Sequence, residues 1–154
     1  SLVNISGGSV GQQFDALDGS TVNITGGNVG SLFDASGRST VNISGGSVGQ
    51  QFGASDASTV NLFVTDVSIN GADLGLSLGD TMEITRRGEA LLEATLADGS
   101  LFDLFLDTDI LSGSVIGKDK IAADATLTVT LVPTPGAAAV LGLGGLIAAR
   151  RRRA

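Results

Sequence analysis

Apolar and polar residues alternate along this chain in short runs, and the runs return on a fixed step. Leu2-Val3-Asn4-Ile5 comes back as Thr21-Val22-Asn23-Ile24, Thr40-Val41-Asn42-Ile43 and Thr59-Val60-Asn61-Leu62, 19 residues apart each time. In the first three copies the identities run on through Gly7-Gly8, Gly26-Gly27 and Gly45-Gly46, then Val10, Val29 and Val48. They continue with Phe14, Phe33 and Phe52, and with Ala16, Ala35 and Ala54. A fixed period of this length marks a stacked architecture, because one unit cannot bury its apolar face alone.

The unit is a β coil and not a helical pair. A central Gly-Gly costs about 1 kcal/mol per residue inside a helix. Val-Asn-Ile has period two, which sends both β-branched side chains to one face and Asn to the other. Gly-Gly, Asp18-Gly19 and Ser36-Gly37 supply turn chemistry with φ > 0. Stacked at about 4.8 Å, the coils form columns of Val3, Val22, Val41 and Val60; of Ile5, Ile24, Ile43 and Leu62; and of the three Phe. The expected fold is all-β: a parallel β-solenoid (β-helix) over residues 1–61, then an irregular β-rich cap over 62–132. A bare first coil exposes an edge, so the solenoid is expected to be the end of a longer array.

The regular pattern dissolves at Phe63-Val64, although Val67 keeps the valine position. Strands are expected over Asn61–Ile69, over Leu74–Leu78 and over Ala125–Leu131, where Leu127, Val129 and Leu131 face inward. Leu91–Leu96 and Leu101–Leu106 flank Ala97-Asp98-Gly99-Ser100, a hairpin signal in which Asp-Gly suits a type I′ turn. Repeat arrays need an atypical end to close their core, which is the role expected of this region, with irregular coils or a separate small β-sandwich as its form.

Val132-Pro133-Thr134-Pro135-Gly136 ends the last strand, because two prolines block ladder and helix alike. Thirteen uncharged residues, Ala137 to Ala149, follow, and then Arg150, Arg151, Arg152 and Arg153. Thirteen helical residues span roughly 20 Å, short of the ~30 Å hydrocarbon core of a bilayer. Four arginines after an apolar stretch hold that end in the cytoplasm.

These three elements in order at the chain end resemble a PEP-CTERM sorting signal, with Pro133-Thr134-Pro135 where that family has Pro-Glu-Pro. The resemblance covers residues 132–154 and implies export, a short transmembrane helix held transiently in the inner membrane, and cleavage by an exosortase-type protease. Release to the cell surface or to extracellular polysaccharide would follow. The repeats with this tail are also similar to large surface proteins of planctomycete-type bacteria.

Composition narrows the chemistry. His, Cys, Trp and Tyr are absent, which excludes His-based catalytic triads, redox thiols and ordinary zinc or haem ligation. The net charge of −7 disfavours nucleic acid as a partner, and +4 of it sits in Arg150–Arg153, leaving −11 for the rest. Asp103, Asp107 and Asp109, with Asp98 nearby, fail the EF-hand pattern, since Leu111 stands where an oxygen is needed and Gly113 comes one place late. They read as solvated carboxylates, so no metal or cofactor is expected. Asn4-Ile5-Ser6 and its repeats are formal glycosylation sequons, but a stacked hydrogen-bonding ladder explains the Asn column better. Gly142-Leu143-Gly144-Gly145 follows no strand and is no dinucleotide loop. Arg86-Arg87 is expected on a turn.

The expected function is a non-enzymatic structural or adhesive surface protein. Two alternatives draw on other residues. A β-helix polysaccharide-active enzyme would need clustered acids, and Asp15, Asp18, Asp34 and Asp56 are expected at turns with only Arg38 as a base. A flat, ice-type binding face would use Thr21-Asn23-Thr25 and Thr40-Asn42-Ser44, diluted by Leu2 in the first coil.

Overall fold

In the computed structural model, residues 1–108 and 119–135 are described. The first coil is β1 (Leu2–Ile5), β2 (Ser9–Val10) and β3 (Gln13–Ala16). The second is β4 (Thr21–Val29) and β5 (Leu32–Ala35), and the third β6 (Thr40–Val48) and β7 (Gln51–Ala54). β8 (Thr59–Ile69) opens the next rung, and β9 (Ala72–Asp73), β10 (Thr81–Glu83), β11 (Leu91–Leu96) and β12 (Leu101–Phe105) follow. β13 (Lys120–Ile121) and β14 (Thr126–Leu131) close the described chain. The expected C-terminal helix lies outside the described residues.

The coils stack as a parallel β-solenoid. β1, β4, β6 and β8 pair in parallel, with Val3 on Val22, Val22 on Val41 and Val41 on Val60. β3, β5 and β7 form the opposing sheet with Phe14 on Phe33 and Phe33 on Phe52. The core lies between the two sheets. Val22, Val41, Val60, Ile24, Ile43, Leu62, Phe33 and Phe52 are buried there, each adding about 1.5–3 kcal/mol relative to exposure. The phenyl rings stack with centroids 5.5 and 5.0 Å apart.

The stack then resumes after an insertion. β14 lies parallel on β8, Thr126 beside Thr59 through Leu131 beside Val64. Leu127 extends the valine column, Val129 extends the isoleucine column, and Ile121 sits on Ala54. Between them, β11 and β12 form an antiparallel hairpin on the far half of β8, within the same ten-stranded sheet and not as a separate sandwich. β10 covers β14 in antiparallel fashion.

Several local expectations are corrected. Gly-Gly is a bend between β1 and β2 in the first coil; in the next two it is a bulge inside a continuous nine-residue strand. Glycine is needed because Gly27 and Gly46 have φ of +88°, and a Cβ on Gly46 would stand 2.8 Å from the carbonyl carbon of Gly26. The left-handed pairs are Asp18-Gly19, Gly37-Arg38 and Asp56-Ala57, each spanned by a hydrogen bond such as Ser58 N–H to the Ser55 carbonyl at 3.0 Å. Two left-handed central residues make these corners type I′ turns. The Asp98-Gly99 loop is different. Only Gly99 is left-handed (φ +92°), and the Leu96 carbonyl accepts from Gly99 N–H at 2.9 Å, which fits a three-residue loop with a glycine bulge. Leu74–Leu78 is no strand; Leu74 and Leu76 pack on the core from an extended connection.

Candidate functional site

The segment expected to be a sorting signal is the first candidate. Val132 N–H donates to the Val64 carbonyl at 2.7 Å, the last rung of the ladder. Pro133, Thr134 and Pro135 come directly after it and are exposed. Gly136 and Arg150–Arg153 lie outside the described residues. Among the described residues, no helix is long and apolar enough to cross a membrane.

The flat face carries the Asn ladder. Asn23 Nδ2 donates to Asn4 Oδ1, Asn42 to Asn23 and Asn61 to Asn42, each at 2.8 Å. Thr128 Oγ1 closes it on Asn61 Oδ1 at 2.8 Å, across 67 residues of sequence. Thr25 and Ser44 hydroxyls reach back to the carbonyls of Ile5 and Ile24. Polar groups consumed in this way are engaged with protein and not with ligand.

The acids separate into distinct environments. Asp15 and Asp34 are neighbours in mid-strand on the four-stranded sheet and not at turns as expected, whereas Asp18 and Asp56 occupy corners. Lost hydration, then the charge of Asp15, hold the Asp34 carboxyl above its ordinary value, against the pull of Lys120. Lys120 lines the same surface hollow as both acids, and Arg38 does not. Asp98 acts as a clamp: it accepts Gly46 N–H and Ser100 N–H, both at 2.9 Å, pinning the hairpin tip on the glycine bulge of the third coil. Burial works to raise its carboxyl, but the donors from Ser100 and Gly46 outweigh it and hold the group below its ordinary value. Asp109 lies outside the described residues, and among the described ones no three acids gather as metal ligands.

Pattern does not single out Asp119, and it marks Arg87 only for a turn. Asp119 stands where the phenylalanine column calls for its next member; it is buried, and its carboxylate accepts Phe52 N–H at 2.8 Å and Phe105 N–H at 2.9 Å. Phe102 fills the vacated aromatic place, edge-on to Phe52 at 6.0 Å. A lone aspartate has no sequence signature for this role. Arg87, expected on a turn, is half-buried and ties Ile84 to Ala125 by donating to both carbonyls, at 2.6 and 3.0 Å.

No family model, curated protein or solved structure matches the chain.

Proposed function

We propose that this chain is a structural or adhesive element of an exported bacterial surface protein, without catalytic activity of its own. Its C-terminal signal is read by an exosortase-type protease after a transient stop in the inner membrane. The observation that carries this reading is the exposure of Pro133, Thr134 and Pro135 immediately beyond the last ladder hydrogen bond. A protease reaches such a segment without unfolding the solenoid, and the Arg cluster further on supplies the stop. The stacked coils supply length and stiffness, and the acidic exposed surface keeps the product dispersed.

The test is a fusion of residues 132–154 to an exported reporter in a bacterium that carries an exosortase. Intact mass of the recovered reporter is expected to show loss of the Arg tail, and a Pro133→Ala/Pro135→Ala fusion is expected to stay uncut. A reporter that keeps its tail and remains in the cytosol would overturn the reading.

A further inference from the structure

The stack carries a second polar surface, and it behaves unlike the Asn ladder. At the corner between the sheets, three coils together line a groove of about 540 Å³. Its walls are two columns, Ser9, Asn28 and Ser47 on one side and Gln12, Ser31 and Gln50 on the other. All six side chains are exposed. None of them hydrogen-bonds to another described residue, whereas each Asn of the flat face bonds to its neighbour. The backbone beneath is already satisfied, with Gly30 N–H on the Val10 carbonyl and Ser31 N–H on that of Gln12. The glycine of each corner, Gly11, Gly30 and Gly49, also lines it, and a Cβ on Gly30 would collide with the Gly11 carbonyl oxygen of the coil below.

The groove continues to the capped end, where Ser47, Gly49 and Gln50 are shared with a second hollow bounded by Leu101, Phe105, Asp103 and Asp119. Phe105 is 42% exposed there and offers a flat apolar surface. Neutral donors and acceptors repeat once per rung, about 4.8 Å apart. Among the described residues no cation lines either hollow, and two carboxylates stand at the closed end.

We propose that this corner groove binds a neutral linear polysaccharide, laid along the solenoid axis with its sugar hydroxyls on the Ser, Asn and Gln columns and one ring against Phe105. An extended pyranose chain repeats its hydroxyls by about a ring's length, as the rungs repeat theirs. The carboxylates and the absence of cations among the lining residues select against uronate polymers. The assignment deepens the adhesive part of the reading above and rests on it for its biological setting. Binding to the purified chain needs neither export nor cleavage, so the two fail separately.

The experiment is amide NMR titration of the full chain with cellohexaose, laminarihexaose, mannohexaose and xylohexaose, with hexagalacturonate and an uncharged Gly/Ser peptide in parallel. At least one neutral hexasaccharide is expected to shift resonances of residues 9–12, 28–31 and 47–50, and hexagalacturonate is not. Gln12→Ala/Ser31→Ala/Gln50→Ala together are expected to raise Kd about tenfold or more with the fold intact, and Phe105→Ala several-fold. Thr21→Ala/Thr40→Ala on the flat face is expected to leave Kd unchanged. The proposal is overturned if no neutral hexasaccharide shifts the groove, if the uronate or the peptide binds there instead, or if the triple variant binds as wild type.

Discussion

The first coil and the last described rung are built from the same column positions and treat them in opposite ways. At the first coil, Leu2 is 64% exposed and Val3, Val10 and Phe14 are only half-buried, because β1 and β3 have a partner on one side alone. At the other end, Leu127, Val129 and Ile121 are fully buried. Column by column the chemistry changes there: the Asn ladder ends on a Thr hydroxyl, and the alanine column ends on isoleucine. The phenylalanine column gives way to Asp119 with Phe102 laid across Phe52. β10, three residues long with Glu83 in it, shields β14 as a short charged edge. A repeat propagates by keeping residues identical, and it stops by replacing each with one that satisfies its lower neighbour and asks nothing of an upper one.

The sharpest way to break this contrast is to truncate one valine-column residue at each end. Leu127→Ala removes a fully buried side chain held between β8 and β10, and is expected to cost about 3 kcal/mol. Val3→Ala at the half-buried end is expected to cost under about 1 kcal/mol. Urea unfolding of both variants measures the difference. Equal costs would show that the first coil is covered in solution.

The regular half of this picture was legible in the residues and much of the other half was not. Val, Ile, Asn and Phe recur at 19 residues, so register, columns and ladder follow from period and β geometry alone. The alternation of Thr126–Leu131 gave the right strand and the right inward face. Its partner was hidden because β8 lies 67 residues back, across an inserted hairpin. Gly-Gly read as a turn since local preference cannot tell a corner from a bulge that stacks on an identical bulge. Leu74–Leu78 alternated correctly but lacks a ladder partner among the described residues. For the candidate sites the balance is similar. The exposed Pro-Thr-Pro was marked by its residues, while the corner groove depends on Ser, Gln and Asn side chains whose lack of partners shows only in three dimensions.

A second comparison uses acid. Loss of hydration raises the Asp119 carboxyl above its ordinary value, against the pull of the Phe105 and Phe52 N–H groups, and nearby Asp103 adds to the rise. With the folded value above the unfolded one, this group stabilises the fold fully below the unfolded value. That contribution fades as pH climbs through the folded value. Asp34 acts with the same sign, and Asp98, held low, acts with the opposite sign. Asp119→Asn isolates the capped end: its amide keeps one of the two acceptor roles, so the variant is expected to be less stable by about 1 kcal/mol in acid. The gap to wild type is expected to narrow as pH rises from below the ordinary carboxyl value through the raised folded one. Unfolding midpoints across that range decide it, and a gap that widens toward neutral pH would mean that the two N–H donors outweigh burial of the charge.

The smallest effect concerns the corners, where the first coil again differs from the last regular one. The left-handed pair is Asp18-Gly19 in the first and Asp56-Ala57 in the third, with Ala57 at φ +59°. A Cβ in that region costs about 1–2 kcal/mol, and glycine returns about 0.4–1 kcal/mol of it to the entropy of the unfolded chain. Ala57→Gly is therefore expected to stabilise the protein by about 0.5–1 kcal/mol. Gly19→Ala in the first coil is expected to destabilise it by a similar amount. Thermal unfolding of the two variants reads opposite shifts in Tm; shifts of the same sign would mean that the corners, unlike the columns, do not share one geometry.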